Sequence, residues 1–226
     1  MHTIIQKAKK EKRSLLETEA KELLREYGIP VPDFKLIKSE EEISGLAKEM
    51  NFPITMKIVS PDIIHKTDAG GVKLNIINEK EAISAYQEII SKAKKYNKKA
   101  KISGVIVYPM VPQGTEIIIG MMQDPHFGPV IMFGLGGIFV EVLKDISFRI
   151  LPIEARDAEE MIAEIKGYKI LKGIRGEAPK DIQAIKDLLL KISQLSQENP
   201  EISEIDLNPV FVFEKGLQVV DARMIL

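Results

Sequence analysis

The sequence contains no cysteine and no tryptophan. Without thiols there is no disulfide framework, no thiolate metal site and no cysteine nucleophile. An excess of either charge is missing as well: 32 Lys and Arg stand against 33 Asp and Glu, a net charge of −1. The basic surplus that marks partners such as nucleic acid or an anionic membrane is therefore absent. No apolar run approaches the ~20 residues a bilayer span needs. The opening segment, Met1–Arg13, lacks the apolar core of a secretory signal. What is present, 45% hydrophobic and 29% charged residues over 226 positions, suits one large domain or two lobes rather than a disordered chain. The expectation is a soluble cytoplasmic protein of mixed α and β content.

Helical and strand periods alternate. Ser14 and Glu17 are spaced as a capping box before an apolar stripe of Leu16, Ala20, Leu23, Leu24 and Tyr27, and Gly28 suits the helix stop. Pro30 and Pro32 force an extended entry into a strand at Phe34–Lys38. A second box, Ser39 to Glu42, opens a short helix. The apolar strand Ile54–Val59 follows, then Val72–Ile77, where Val72, Leu74 and Ile76 alternate as in a half-buried strand. Asn78 and Glu81 cap a long helix with the stripe Ala82, Ala85, Tyr86, Ile89 and Ala93. The basic stretch Lys92–Lys101 reads as a solvated helix end. Val105–Tyr108, Glu116–Met122, Pro129–Phe133, Phe139–Val142 and Ser147–Pro152 read as successive antiparallel strands. Helices at Ala158–Ile165 and Asp181–Gln197 precede a closing hairpin, Val210–Phe213 with Leu217–Val220. The organisation is α+β with two sheets, and a lobe boundary falls near Tyr108–Gln113.

Four places carry chemistry-bearing residues. Lys57 interrupts an otherwise apolar strand, so its ammonium either meets an anion such as phosphate or snorkels from an edge. Directly after it, Pro61–Val72 is a polar loop holding His65, Lys66, Asp68 and the pair Gly70-Gly71. Glycine amides can cradle phosphate, and a neutral imidazole can accept a phosphoryl group. The plain alternatives are a turn and an ordinary loop histidine. Phe133–Glu141 is glycine-rich, yet it does not complete G-x-G-x-x-G, and a β-hairpin is expected where a dinucleotide fold needs a helix. Near the end, Glu204–Pro209 and Asp221 offer carboxylate and amide oxygens suited to Mg²⁺ with phosphates, or merely a turn and a strand cap.

Taken together, Ser60–Val72, Phe133–Leu151, Leu171–Gly176 and Glu204–Val210 resemble the ATP-grasp fold. More narrowly, they resemble the β subunits of the archaeal ADP-forming acetyl-CoA synthetases, in the NDP-forming acyl-CoA synthetase family. The resemblance runs from Glu17–Lys21 to Asp221–Arg223. It implies two α/β lobes with a nucleotide bound between them: a small lobe at 22–110, and a larger one at 1–21 plus 111–226 carrying the Mg²⁺ site. It further implies interconversion of acyl-CoA, ADP and phosphate with acid, ATP and CoA through a phosphohistidine relay.

By that resemblance His65 is the second phosphohistidine, on a loop that carries the phosphoryl group between this part and an α part with its own phosphorylated histidine; Lys57 is the lysine on the nucleotide phosphates, and Lys66, Gly70 and Gly71 the phosphate loop. Tyr108, Met110 and Val111 form the hinge that holds adenine, Glu116 takes the ribose hydroxyls, and Asn208 and Asp221 hold Mg²⁺. The hinge has Tyr108 where the related succinyl enzyme has an acid. Arg149 and Arg175 lie in family-like motifs without an assigned role. The implied partner is a CoA-binding α subunit in an α2β2 heterotetramer, and no nucleic acid or membrane is involved. Two other readings remain: an ATP-binding regulatory subunit that passes no phosphate, and a carboxylate–amine ligase of the same fold.

Overall fold

A computed structural model describes residues 2–174 and 176–226. Helices α1 (Thr3–Lys10) and α2 (Glu17–Glu26) lead to strand β1 (Lys35–Ile37), a 3-10 turn at Glu40–Ile43 and α3 (Leu46–Glu49). Next come β2 (Ile54–Val59), β3 (Val72–Ile76), α4 (Glu79–Tyr96) and β4 (Gly104–Pro109). The central stretch holds β5 (Thr115–Asp124), β6 (Gly128–Leu135), α5 (Ile138–Glu141) and β7 (Ile146–Ile150). Three helices follow, α6 (Ala155–Glu164), α7 (Tyr168–Leu171) and α8 (Ile182–Glu198), then β8 (Glu204–Val212), β9 (Leu217–Val219) and β10 (Ala222–Ile225).

The chain divides into two compact units, Pro32–Pro112 and Met1–Val31 with Gln113–Leu226. The first boundary therefore falls at Pro32 rather than at residue 22. Helix α2 is the reason: Ala20, Leu23 and Leu24 are wholly buried in the larger unit's core, and the helix packs on β10.

The smaller unit is an antiparallel sheet in the order β1-β4-β2-β3. Ile54, Met56 and Ile58 share one core with Ala82, Ala85, Tyr86, Ile89 and Ala93, the stripe expected for α4. Asn78 caps that helix by accepting from the Glu81 amide at 2.9 Å. The alternation expected in β3 fails. Leu74 is exposed, because the register against β2 slips between Ile54 and Met56 and Asn75 takes a positive φ of 56°. Such a bulge turns the side chains out of step.

The larger unit's sheet runs β10-β8-β5-β6-β7, antiparallel throughout, with β9 paired to β8. Ile117, Ile119 and Met121 of β5, Ile131 and Phe133 of β6, and Ile205, Leu207 and Val210 of β8 enter the core. Helices α2, α6 and α8 pack on this sheet through β10, β7 and β5. Two local expectations change. Phe139–Val142 is not a strand; one helical turn, α5, links the antiparallel neighbours β6 and β7. The first helix is capped at Leu16, whose amide donates to the Glu19 carboxylate at 2.9 Å, so the reciprocal carboxylate lies two residues beyond Glu17. Among the described residues no helix is long and apolar enough to cross a membrane.

Candidate functional site

Lys57, His65, Lys66, Gly70, Gly71, Tyr108, Met110 and Val111 belong to the smaller unit. Glu116, Asn208 and Asp221 belong to the larger. In the smaller unit Lys57 lies on the central strand β2, flanked by Val72 of β3 and Ile106 of β4. Its core neighbours Met56 and Ile58 face α4, so period-2 alternation turns Lys57 to the other sheet face. There it is only 6% exposed, with its ammonium 5.5 Å from the centre of the Tyr108 ring. A cation held this way by an aromatic face and neighbouring strands is fixed in place before an anion arrives.

The segment 60–71 leaves the end of β2 and returns at β3. Ile63 and Ala69 anchor it in the core, while His65 is exposed. Its turns close on backbone alone: the amides of Ala69, Gly70 and Gly71 donate to the carbonyls of His65, Thr67 and Lys66 at 3.2, 2.9 and 2.8 Å. The two glycine amides are thus engaged inside the loop rather than open to phosphate. What the glycines supply is shape. Gly70 has φ +62° and its missing Cβ leaves room for the Lys92 stem. A Cβ on Gly71 would overlap Ile58 Cγ2, and the Gly71 carbonyl accepts from the Ile58 amide at 2.7 Å. Gly71→Ala should accordingly destabilise the smaller unit by ~1–3 kcal/mol through overpacking, which urea unfolding would register.

Glu88 steadies this corner by bridging Lys73 and Lys92, both at 2.6 Å. Hydrogen bonds from those two lysines hold its carboxyl down to about 2. The His65 imidazole has no hydrogen-bond or ion-pair partner among the described residues, its loop neighbour Asp68 included.

The hinge begins on β4, where Tyr108 pairs with Thr55. The Met110 amide donates to the Pro53 carbonyl at 2.8 Å, which commits it to the fold. The Val111 amide has no partner among the described residues.

In the larger unit Glu116 opens onto a cleft of about 660 Å³. Gly136, Gly137, Phe139, Ile170 and Lys180 line it. The Gly136 amide donates to the Glu116 carbonyl at 2.8 Å, and a Cβ on Gly136 would press on Glu116 Cβ at 3.0 Å. The glycine-rich run is therefore a close-approach surface for β5. Read as an incomplete dinucleotide motif, it concealed Gly136 and Gly137; the informative signal was a pair of glycines following a buried strand.

Asn208 and Asp221 are brought together: the Asn208 amide donates to the Asp221 carbonyl at 3.3 Å. Asn208-Pro209 is not a turn before the hairpin but a bulge within β8, two residues opposite the single Ile118 of β5. Among the described residues no group of three or more His, Asp or Glu side chains could hold a metal. One amide and one carboxylate oxygen are hard donors but do not make a cage, so the pair fits Mg²⁺ that arrives on phosphate oxygens. Arg149 is structural here, joining β7 to α6 through Glu164 at 2.9 Å. Arg175 lies outside the described residues.

A family model described as an ATP-grasp domain matches residues 6–226. The β subunit of ADP-forming acetate–CoA ligase I from Pyrococcus furiosus is 56% identical over 223 residues, covering 99% of this chain and 96% of that one. The ADP-forming acetate–CoA ligase I of Archaeoglobus fulgidus is 49% identical over 99% of this chain, which matches 32% of that longer protein. Among solved structures, the dinucleotide-forming acetyl-coenzyme A synthetase 1 of Candidatus Korarchaeum cryptofilum superposes with a TM-score of 0.85 at 48% identity, covering 99% of this chain and 98% of that one. That structure holds coenzyme A and Mg-AMPPCP, with its phosphohistidine segment pointing towards the nucleotide binding site. With a fold of two antiparallel sheets, a lysine preset on one and hard oxygen donors on the other, the chain belongs to the ATP-grasp family, among the β subunits of the ADP-forming acetate–CoA ligases.

Proposed function

We propose that this chain is the nucleotide-handling subunit of an ADP-forming acyl-CoA ligase, interconverting acyl-CoA, ADP and phosphate with acid, ATP and CoA. The observation that carries the reading is His65: an exposed imidazole without a protein partner, at the head of a loop anchored by Ile63 and Ala69. A histidine in that position is free to be carried to and from a phosphoryl donor.

Each residue has a chemical task. A histidine of the CoA-binding subunit takes the phosphoryl group from the acyl phosphate, whose P–O bond breaks as the carboxylate leaves; a neutral ring nitrogen of His65 then attacks that phosphorus, and the first N–P bond breaks. A terminal phosphate oxygen of ADP then attacks the same phosphorus, the N–P bond breaks, and the electron pair returns to the ring. Lys57 neutralises charge on the nucleotide phosphates, and Gly70 and Gly71 let the loop fold tightly beside Lys66. The Val111 amide, with the Tyr108 and Met110 backbone, borders the base, and the Glu116 carboxylate accepts from ribose hydroxyls. Magnesium enters as part of the nucleotide substrate, on the oxygens of Asn208 and Asp221. The acyl phosphate forms on a CoA-binding α subunit, and an α2β2 assembly in the cytoplasm is the expected working form. The smaller lobe, as a nucleotide clamp, takes the boundaries Pro32–Pro112.

The test uses the chain assembled with its CoA-binding subunit and [γ-³²P]ATP with Mg²⁺. Acid-labile, base-stable label is expected on this chain and is discharged by CoA plus the acid. Binding of Mg·ATP with no label on either subunit overturns the relay and leaves a regulatory subunit.

A further inference from the structure

The loop that carries His65 is tied down at both of its ends, and the two ties differ in kind. At its start Ile63 is buried, Asp62 Oδ2 accepts from the Lys101 amide at 2.7 Å, and the Asp62 amide donates to Ser60 Oγ at 3.1 Å. At its end the contact is made by a single movable side chain. The Lys92 stem fills the notch left at Gly70, where a Cβ would lie 2.6 Å from Lys92 Cδ and 3.5 Å from its Cβ and Cε. Four residues back on α4, Glu88 holds the Lys92 ammonium with one carboxylate oxygen and Lys73 of β3 with the other. Acid before base at this spacing is the favourable order on a helix. Each ion pair is exposed and contributes little alone. Together they fix the direction of the stem, and it is the methylenes rather than the charge that cover the glycine.

Between the ties, the amides of Ala69, Gly70 and Gly71 bond back to the carbonyls of His65, Thr67 and Lys66, so 65–71 is one closed unit with Gly70 at its edge. That unit rests on the α4 side of the sheet: Ile63 and Ala69 share the α4 core, and Gly71 abuts Ile58 of the same face. Lys57 is turned to the opposite face. We infer that Lys92, aligned by Glu88, is the latch of this loop. With its stem over Gly70 the loop is parked against α4, and withdrawal of the stem releases His65 towards phosphates gathered by Lys57. The inference rests on the function proposed above and adds what governs the movement. Lys92 touches no reacting atom; it is a positioning residue acting through Gly70. A solvated lysine changes rotamer in nanoseconds or less, so such a contact biases the loop without trapping it.

The experiment has two arms. Hydrogen exchange on the full chain follows the amides of Ala69, Gly70 and Gly71. Lys92→Ala, at an exposed helix position that suits alanine, is expected to raise their exchange about threefold to tenfold while the β4 amides keep wild-type rates. Lys92→Met keeps the stem without the charge and should stay within about twofold of wild type. Glu88→Gln should fall between the two. In the enzyme assembled with its CoA-binding subunit, rapid-quench labelling with [γ-³²P]ATP and Mg²⁺ should bring label onto His65 about threefold faster in Lys92→Ala, because the parked state is less populated. The dissociation constant for Mg·ATP should remain within about twofold. Unchanged exchange at 69–71, a rise shared equally by β4, a methionine variant as loose as the alanine, or labelling that is no faster each overturns the latch. A wild type that never takes label fails the proposed function instead, and the exchange arm, which needs neither nucleotide nor partner, keeps the two failures apart.

Discussion

His65→Asn in the assembled enzyme should lower ATP synthesis from acyl-CoA, ADP and phosphate by about 10⁴-fold or more. Dissociation constants for Mg·ADP should stay within about twofold. Asparagine keeps polarity and approximate size but offers no basic ring nitrogen, so the step lost is formation of the N–P bond. The loop itself should not notice, because its closures run between backbone amides and the carbonyls of His65, Lys66 and Thr67. Neither remaining histidine can substitute. His2 caps α1 by accepting from the Ile4 amide at 3.3 Å, and His126 belongs to the Asp124 turn. Steady-state turnover and titration calorimetry on the same preparation decide the matter. Activity above about one per cent of wild type would remove His65 from the phosphoryl path.

Where one face of an element meets a continuous core, its sequence was legible. The α4 stripe Ala82, Ala85, Tyr86, Ile89 and Ala93 is buried residue for residue, and the strand Ile54–Val59 keeps its bounds. Legibility fails where a local device overrides periodicity. Leu74 reads as inward until the bulge at Asn75 is known, and Phe139–Val142 has strand composition yet turns once as a helix between β6 and β7. Short apolar runs do not distinguish these outcomes, since both period 2 and one helical turn accommodate four residues.

The candidate site divides along similar lines. Lys57 was visible because a lysine inside an apolar strand is chemically anomalous, and it is indeed buried on β2. Asn208 and Asp221 were suggested by their oxygens, but their proximity depends on the pairing of β8 with the segment before β10, a long-range fact. The cleft around Glu116 was hidden for the same reason: Gly136 and Lys180 meet only after β5 and β6 pair and α8 begins. Glycines were the most misleading residues. Gly70 and Gly71 suggest amides turned outward to phosphate, whereas their amides close the loop and their missing side chains admit Lys92 and Ile58.

Lys21→Met should destabilise the larger unit by ~3–5 kcal/mol, among the largest effects available to a single substitution in this chain. Lys21 and Glu17 form an ion pair of 2.9 Å in α2 with side chains 0% and 1% exposed. Their order, acid four residues before base, is the favourable one on a helix. Desolvating both charges is costly, so the pair as a whole adds little stability over apolar residues of the same volume. Removing one partner is different, because the buried carboxylate then loses the ammonium 2.9 Å away in a medium of low dielectric. The double variant Glu17→Leu with Lys21→Met should consequently recover most of the loss, ending within ~1–2 kcal/mol of wild type. Denaturant unfolding of the wild type, both single variants and the double variant closes the cycle and yields the coupling energy directly. A double variant as unstable as the singles would show that each side chain acts through packing instead of through the other's charge.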